Sequence, residues 1–193
     1  GIGGNKGYST FMCNTLFDVQ LLSNSQCFPL YMYSQKDDTE SNYVRNSAIS
    51  RTILLEYRKV YNNEVICEED IFYYIYGVLS CEDYKVRFLE NLSKALPRIP
   101  KVKSENDFWL FSKAGRELAN FQLNYETVEC YPVILETSGK LIKEFDNEDY
   151  YVTQMKYVKN GKEKDLTSVI YNNQITIKKI PVEAYEYVVN GKP

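Results

Sequence analysis

Ser104-Glu105-Asn106-Asp107-Phe108-Trp109-Leu110-Phe111-Ser112-Lys113-Ala114-Gly115-Arg116-Glu117-Leu118-Ala119 decides the fold class. Ser104 followed by Asp107 is a capping-box pattern: each side chain accepts a backbone N–H that the first helical turn leaves unpaired. Phe108, Phe111, Gly115 and Leu118 then recur at helical spacing as an apolar stripe. Gly115, lacking a Cβ, allows another element to approach closely. A long helix is expected here. Upstream, Ile49, Ile53, Leu54, Tyr57 and Val60 keep the same period, as do Ile71, Ile75, Val78 and Leu79. A second capping pattern, Ser80 with Asp83, opens a helix that aligns Tyr84, Phe88, Leu92 and Leu96 on one face. Pro97 ends it, since proline lacks an N–H and disfavours helix at the residue before it.

Strand patterning flanks this helical block. On the N-terminal side Tyr8–Met12, Asp18–Leu22 and Phe28–Tyr33 read as strands, with Pro29 placing the third at an edge or a strand start. Residues 34–42 are polar and acidic and read as an exposed loop. On the C-terminal side residues 150–158 form a strand candidate, and Asn160-Gly161 is a strong hairpin signal. Ser168–Tyr171 and Ile175–Lys179 make a second hairpin around Asn172-Asn173, and a short helix over 181–189 stops at Asn190-Gly191. Strands, then helices, then strands predict an α+β fold: a strand-rich N-terminal part (1–48), a central helical block (49–125) and C-terminal β-hairpins with a short helix (126–193). The 193 residues read as one module. The start at Gly1 without Met, and the stop at Gly191-Lys192-Pro193 directly after an element, read as a fragment of a longer chain.

Composition narrows the chemistry. There is no histidine, which removes the commonest general base and metal ligand. Five cysteines are scattered without the short spacing of a zinc knuckle or redox motif, so buried reduced thiols are expected. Glu68-Glu69-Asp70 and Asp146 to Asp149 lack calcium-loop spacing, and no metal site is expected. No apolar run approaches the roughly 20 residues of a membrane span, and no signal peptide is visible, so a cytoplasmic protein is expected. The net charge of −3 gives no basic surplus of the kind an autonomous DNA-binding domain carries. Neighbouring domains of a larger enzyme can supply most phosphate contacts and leave such a module to read bases.

Local candidates remain. Gly1, Gly3, Gly4 and Gly7 surround Lys6. No P-loop spacing follows, which leaves a loop reaching a DNA backbone or an ordinary flexible opening. Gln26 is of the residue type that pairs bidentately with adenine, or it simply bonds to backbone. Phe28, Tyr31 and Tyr33 offer stacking surfaces or serve the core. Arg98, between two prolines, presents its guanidinium from a stiff loop, with Lys101 and Lys103 close behind. Phosphate contact competes there with a salt bridge or a solvated loop. Lys156, Lys159, Lys162 and Lys164 cluster on the predicted hairpin, either as a ribbon for a major groove or as an edge guarded against aggregation. Glu163 and Asp165 dilute that cluster.

Three ordered runs carry a family resemblance. They are Ser25-Gln26-Cys27-Phe28-Pro29-Leu30-Tyr31; Leu96-Pro97-Arg98-Ile99-Pro100 with Asp107-Phe108-Trp109 and Leu123-Asn124-Tyr125-Glu126; and Ile170-Tyr171-Asn172 with Ile180 to Lys192. With Arg116-Glu117-Leu118-Ala119, their order resembles the C-terminal target-recognition region of type ISP restriction–modification enzymes. These are long single polypeptides with nuclease, translocase, adenine methyltransferase and DNA-specificity parts. The resemblance implies a non-catalytic module that recognises a short sequence in double-stranded DNA. It also implies partner methyltransferase and translocase domains in the same chain, and a glycine-containing loop like that around Lys6 before the next strand. S-adenosylmethionine, ATP and magnesium belong to the rest of such an enzyme. Here there is no Asn-Pro-Pro-Tyr run, Walker motif or nuclease carboxylate–lysine set, so no catalytic residue is expected. The candidate DNA-binding residues are Lys6, Gln26, Arg98, Lys101, Lys103, Lys159, Lys162 and Lys164. The acidity and the abundance of tyrosine keep a second reading open, a structural or protein-interaction domain of a phage or mobile-element protein.

Overall fold

The computed structural model describes residues 7–18, 20–21, 25–35, 43–152, 154–189 and 191–192. The fold is α+β, as the order of patterns predicts. The chain divides into two compact units, Gly1–Val128 with Val189–Gly191, and Glu129–Val188 with Lys192–Pro193.

The first unit contains an antiparallel hairpin, β1 (Tyr31–Gln35) and β2 (Tyr43–Ser47). The helices α1 (Arg51–Tyr61), α2 (Glu68–Ser80), α3 (Glu82–Arg87), α4 (Leu89–Leu92) and α5 (Glu105–Leu123) follow. Ser50 caps α1, which ends on Asn62 in the left-handed conformation at φ 50°. Ser104 caps α5 by accepting from the Asp107 N–H at 3.0 Å. Cys67 and Asp70 form a capping box at α2 that the sequence pattern did not flag. The core is aromatic. Tyr57, Tyr61, Tyr74 and Phe108 are buried with ring centroids 5.0–6.1 Å apart, among Leu54, Ile66, Ile71, Val78 and Leu92.

Gly115 does what its place in the stripe implied. It meets Gly77 where α5 crosses α2, and a Cβ built on Gly115 would lie 2.8 Å from the Gly77 nitrogen and overlap the Tyr73 carbonyl oxygen. A Cβ built on Gly77 would likewise overlap the Phe111 carbonyl oxygen. The two bare positions set how near these backbones come.

Several local expectations change. Residues 8–12 are not a strand but run irregularly along side chains: Thr10 meets the Ser80 hydroxyl at 3.2 Å, and the Met12 N–H donates to Gln122 Oε1 at 2.8 Å. Asp18 begins a turn, accepting from the Gln20 and Leu21 N–H groups through side chain and carbonyl, as Asp does in Asx-type turns. The strand after Pro29 starts at Tyr31 and extends through Ser34 and Gln35, because β2 supplies a partner the sequence pattern did not reveal. Ser80 ends α2 and Cys81 caps α3, while a break at Phe88 divides the single helix expected over 80–96. Tyr84 and Leu92 still reach the core, but the helix stops at Leu92, before Pro97 can end it, and Leu96 is exposed. Cys13, Cys67 and Cys81 are half-buried, but Cys27 and Cys130 are exposed, contrary to the expectation of buried thiols.

The second unit is a four-stranded antiparallel sheet in the order β3-β6-β5-β4. Its strands are β3 (Ile134–Thr137), β4 (Lys156–Asn160), β5 (Glu163–Ile170) and β6 (Ile175–Lys178). β3 was not foreseen. β4 begins at Lys156, since residues 147–150 form a 3-10 turn capped by Asp146. The β4–β5 turn falls on Gly161-Lys162, with Gly161 at φ 66°, a hairpin form that puts glycine first. The buried side chains here are mostly polar. Asn172 Nδ2 donates to the Asp149 and Tyr151 carbonyls at 2.7 and 3.2 Å, and its Oδ1 accepts from the Gln174 and Ile175 N–H groups, both at 2.8 Å. The Asp149 carboxylate accepts from Lys140 Nζ at 2.7 Å and from Gln174 Nε2 and the Asp146 N–H at 2.9 Å. The Lys140 ammonium, then the other donors, holds the Asp149 carboxyl below the usual carboxylate range.

Candidate nucleic-acid interface

In the first unit the basic candidates sit on a strap, residues 97–103, between α4 and α5. Pro97 and Pro100 fix φ on the strap, and Leu96 and Ile99 before them are biased to extended conformations. Ile99 and Val102 turn inward and pack on the core, while Arg98, Lys101 and Lys103 are exposed. Three tyrosines hold alternate carbonyls. Tyr84 of α3 donates to Arg98 O at 2.8 Å, Tyr74 of α2 to Pro100 O at 2.5 Å, and Tyr61 of α1 to Val102 O at 3.0 Å. The Val102 N–H returns to the Tyr74 oxygen at 3.2 Å. Burial raises all three phenols, Tyr61 to about 12, so each remains a donor at neutral pH. The basic side chains differ in their engagement. Lys101 is paired with Glu56 and lies 5.6 Å from the Tyr57 ring centre. Arg98 and Lys103 have no ion-pair partner among the described residues.

Gln26 is exposed in the irregular stretch ahead of β1, and Lys6 lies outside the described residues. Of the aromatic candidates, Phe28 and Tyr33 are exposed at 64% and 65%, more than a core role allows. Tyr31 instead carries the Arg45 guanidinium 4.3 Å above its ring and donates its hydroxyl to Glu69, which pairs with Arg116. Arg116 also bonds Asp70 at 3.1 Å and lies 4.2 Å from the Tyr73 ring centre. Tyr33 and Arg45 are directly cross-strand, so Tyr31, Tyr33, Tyr43 and Arg45 share one face of the ribbon. Arg45 and Tyr43 were missed because that face exists only through the register of β1 on β2.

In the second unit the predicted lysine hairpin forms. Lys159 and Lys164 are direct cross-strand partners, Lys162 is on the turn, and Lys164 Nζ lies 5.0 Å from the Tyr157 ring centre. Their acidic neighbours in sequence do not neutralise them. Glu163 and Asp165 alternate to the opposite face, and Asp165 is held locally, accepting from the Thr167 N–H at 2.9 Å and the Thr167 hydroxyl at 2.6 Å. Those bonds hold the Asp165 carboxyl below the usual range. Thr167 lies where the register jumps: Val158 pairs with Asp165 but Tyr157 with Val169. Tyr185 and Ile180 donate to the Leu166 and Thr167 carbonyls at 2.8 and 3.0 Å and pin this bulge. Two like charges directly opposed destabilise a hairpin, and none of the three lysines has an ion-pair partner among the described residues.

No group of three or more Cys, Asp or Glu side chains is gathered for a metal ion among the described residues. Exposed cations stand on the strap of the first unit, and others on the hairpin of the second. The chain belongs to the type ISP C-terminal specificity domain family, whose model matches residues 1–193. Similar solved structures include the ATP-dependent type ISP restriction–modification enzyme LlaBIII bound to DNA, at 37% identity over 86% of this chain with a TM-score of 0.66. A nuclease-deletion mutant of the type ISP enzyme LlaGI with a DNA substrate mimic is similar at 37% identity over 77% of the chain, with a TM-score of 0.55. A DrdV–DNA complex is similar at 25% identity over 90% of the chain, with a TM-score of 0.73. The chain spans 10% of the length of LlaBIII and of LlaGI and 16% of that of DrdV. No curated protein matches it.

Proposed function

We propose that this domain recognises a specific sequence in double-stranded DNA as the non-catalytic specificity part of a restriction–modification polypeptide. In this reading the adenine methyltransferase and translocase domains of the same polypeptide use S-adenosylmethionine, ATP and magnesium, and this domain uses none of them. The family and the DNA-bound relatives support the reading. The observation that carries it is the Lys159–Lys164 cross-strand pair, an arrangement that costs stability and is relieved when a phosphate lies between the two charges. Lys162, Arg98 and Lys103 extend the set of cations open to the backbone, while Gln26 and Arg45 are of residue types that meet base edges.

The test is the salt dependence of duplex binding by the intact polypeptide that carries this domain. Lys159→Ala with Lys164→Ala is expected to weaken cognate and non-cognate duplexes alike. It should also lower the slope of log K against log salt by roughly 0.9, for the one phosphate no longer held between the pair. An unchanged slope rejects phosphate binding by the hairpin. A loss confined to one base position assigns the lysines to base readout instead.

A further inference from the structure

The strap is held by bonds that its own sequence does not supply. Tyr61, Tyr74 and Tyr84 come from three different helices, yet their hydroxyls meet the carbonyls of residues 102, 100 and 98 in turn. A core needs no such spacing. Phenylalanine would fill the same volume, and a carbonyl at the surface can bond to water. The alternation matters for the other side of the strap: every second carbonyl drawn inward, with Ile99 and Val102 packed beneath, turns Arg98 and Lys103 outward from a backbone that cannot swivel. Prolines at 97 and 100 remove further freedom before any bond forms. Fully extended, the five-residue step from Arg98 to Lys103 spans at most about 18 Å, a reach of a few phosphates along one strand.

We infer that Tyr61, Tyr74 and Tyr84 are positioning residues for DNA-backbone binding: they preform the strap so that Arg98 and Lys103 meet phosphates without an ordering cost at the moment of contact. The inference rests on the reading that this domain binds duplex DNA, and it adds which residues make one contact efficient. Rigidifying a binding segment raises affinity by removing that ordering cost. None of the three tyrosines touches the ligand in this arrangement. Lys101, latched to Glu56, is not required.

The experiment is a double-mutant cycle in the intact polypeptide. Binding is measured against salt on a short duplex carrying the sequence found methylated in cells that express it. Arg98→Ala is expected to weaken binding and lower the salt slope by about 0.9. Tyr84→Phe keeps every charge. It is expected to weaken binding about fivefold in the wild-type background and to have no further effect once Arg98 is alanine, because interacting residues do not add. Equal losses in both backgrounds, or no loss in either, overturn the positioning role and leave Tyr84 a packing residue. If Arg98→Ala itself changes neither affinity nor slope, the strap does not touch DNA and the inference fails outright. The lysine-hairpin variants then report separately whether the domain binds DNA at all. Pro100→Gly loosens the strap while keeping the carbonyl that Tyr74 holds. It takes the place of Tyr84→Phe in the cycle if that variant lowers the yield of folded protein: coupling to Arg98 supports the inference, and additivity overturns it.

Discussion

In the first unit the deepest side chains are rings and branched aliphatics, with Tyr74, Phe108, Ile66 and Ile71 out of reach of solvent. In the second, the buried residues among those described are Asp149, Ser168, Asn172 and Ile175, while apolar side chains such as Leu141, Ile142 and Met155 remain exposed. One unit is held mainly by filled volume, the other by a few directional bonds around Asp149 and Asn172. The difference teaches where each tolerates change. A volume-filled core resists loss of a single bond but not intrusion between its backbones. A polar hub absorbs neither the loss of a partner nor a change in its charge.

The largest expected effect breaks the first unit at its tightest point. Gly115→Ala pushes a methyl group into the Tyr73 carbonyl and the Gly77 nitrogen. Forcing α2 and α5 apart is expected to cost about 3 kcal/mol. Hydrogen exchange should show faster opening throughout residues 51–123 and little change in β4 to β6. Protection lost equally in both units would show that they fold as one and remove the contrast.

Next comes the hub. Asn172→Ala removes four hydrogen bonds and leaves the Gln174 and Ile175 N–H groups without their acceptor, at an expected cost of about 2 kcal/mol. Exchange should rise in β5 and β6 first, with α2 and α5 still protected.

The smallest effect sharpens the comparison by pH. Asp149 and Asp165 titrate below the usual carboxylate range when folded. The stability they add is therefore present above about pH 4 and is lost as pH falls through their folded values. In the first unit, burial raises Tyr8, Tyr57 and Tyr61 above the ordinary phenol value. Their contribution is full below about pH 10 and is lost as pH rises through the folded values. Lys140, raised by its bond to Asp149, adds a smaller loss of the same alkaline sign to the second unit. Stepwise titration followed by residue-resolved exchange should open the sheet first in acid and the helices first in alkali.

Much of the helical unit was legible because its signals are local. A serine ahead of an aspartate, a stripe at helical period and a glycine within it identified α5 and even its close approach. The Asn172 turn was legible as a hairpin, but its role as a hub was not, since its partners at Asp149 and Tyr151 lie more than 20 residues away. Residues 8–12 misled because aromatic, β-branched composition reads as strand, whereas strand pairing depends on a neighbour that the pattern cannot name. β2 and β3 were overlooked for the same reason. At the candidate interface, the stiffness of the strap was visible in two prolines, but the three tyrosines that hold it come from distant helices. The lysine cluster was visible as composition. That the lysines face one another while Asp165 turns away needed the register.

The facing lysines also set two responses to salt against each other. Ions between Lys159 and Lys164 screen their repulsion, so the free hairpin grows steadier as ionic strength rises. The same ions compete with whatever phosphate the pair would hold. On the proposed reading, part of what the hairpin would gain from a phosphate is relief of a repulsion it already carries when unbound.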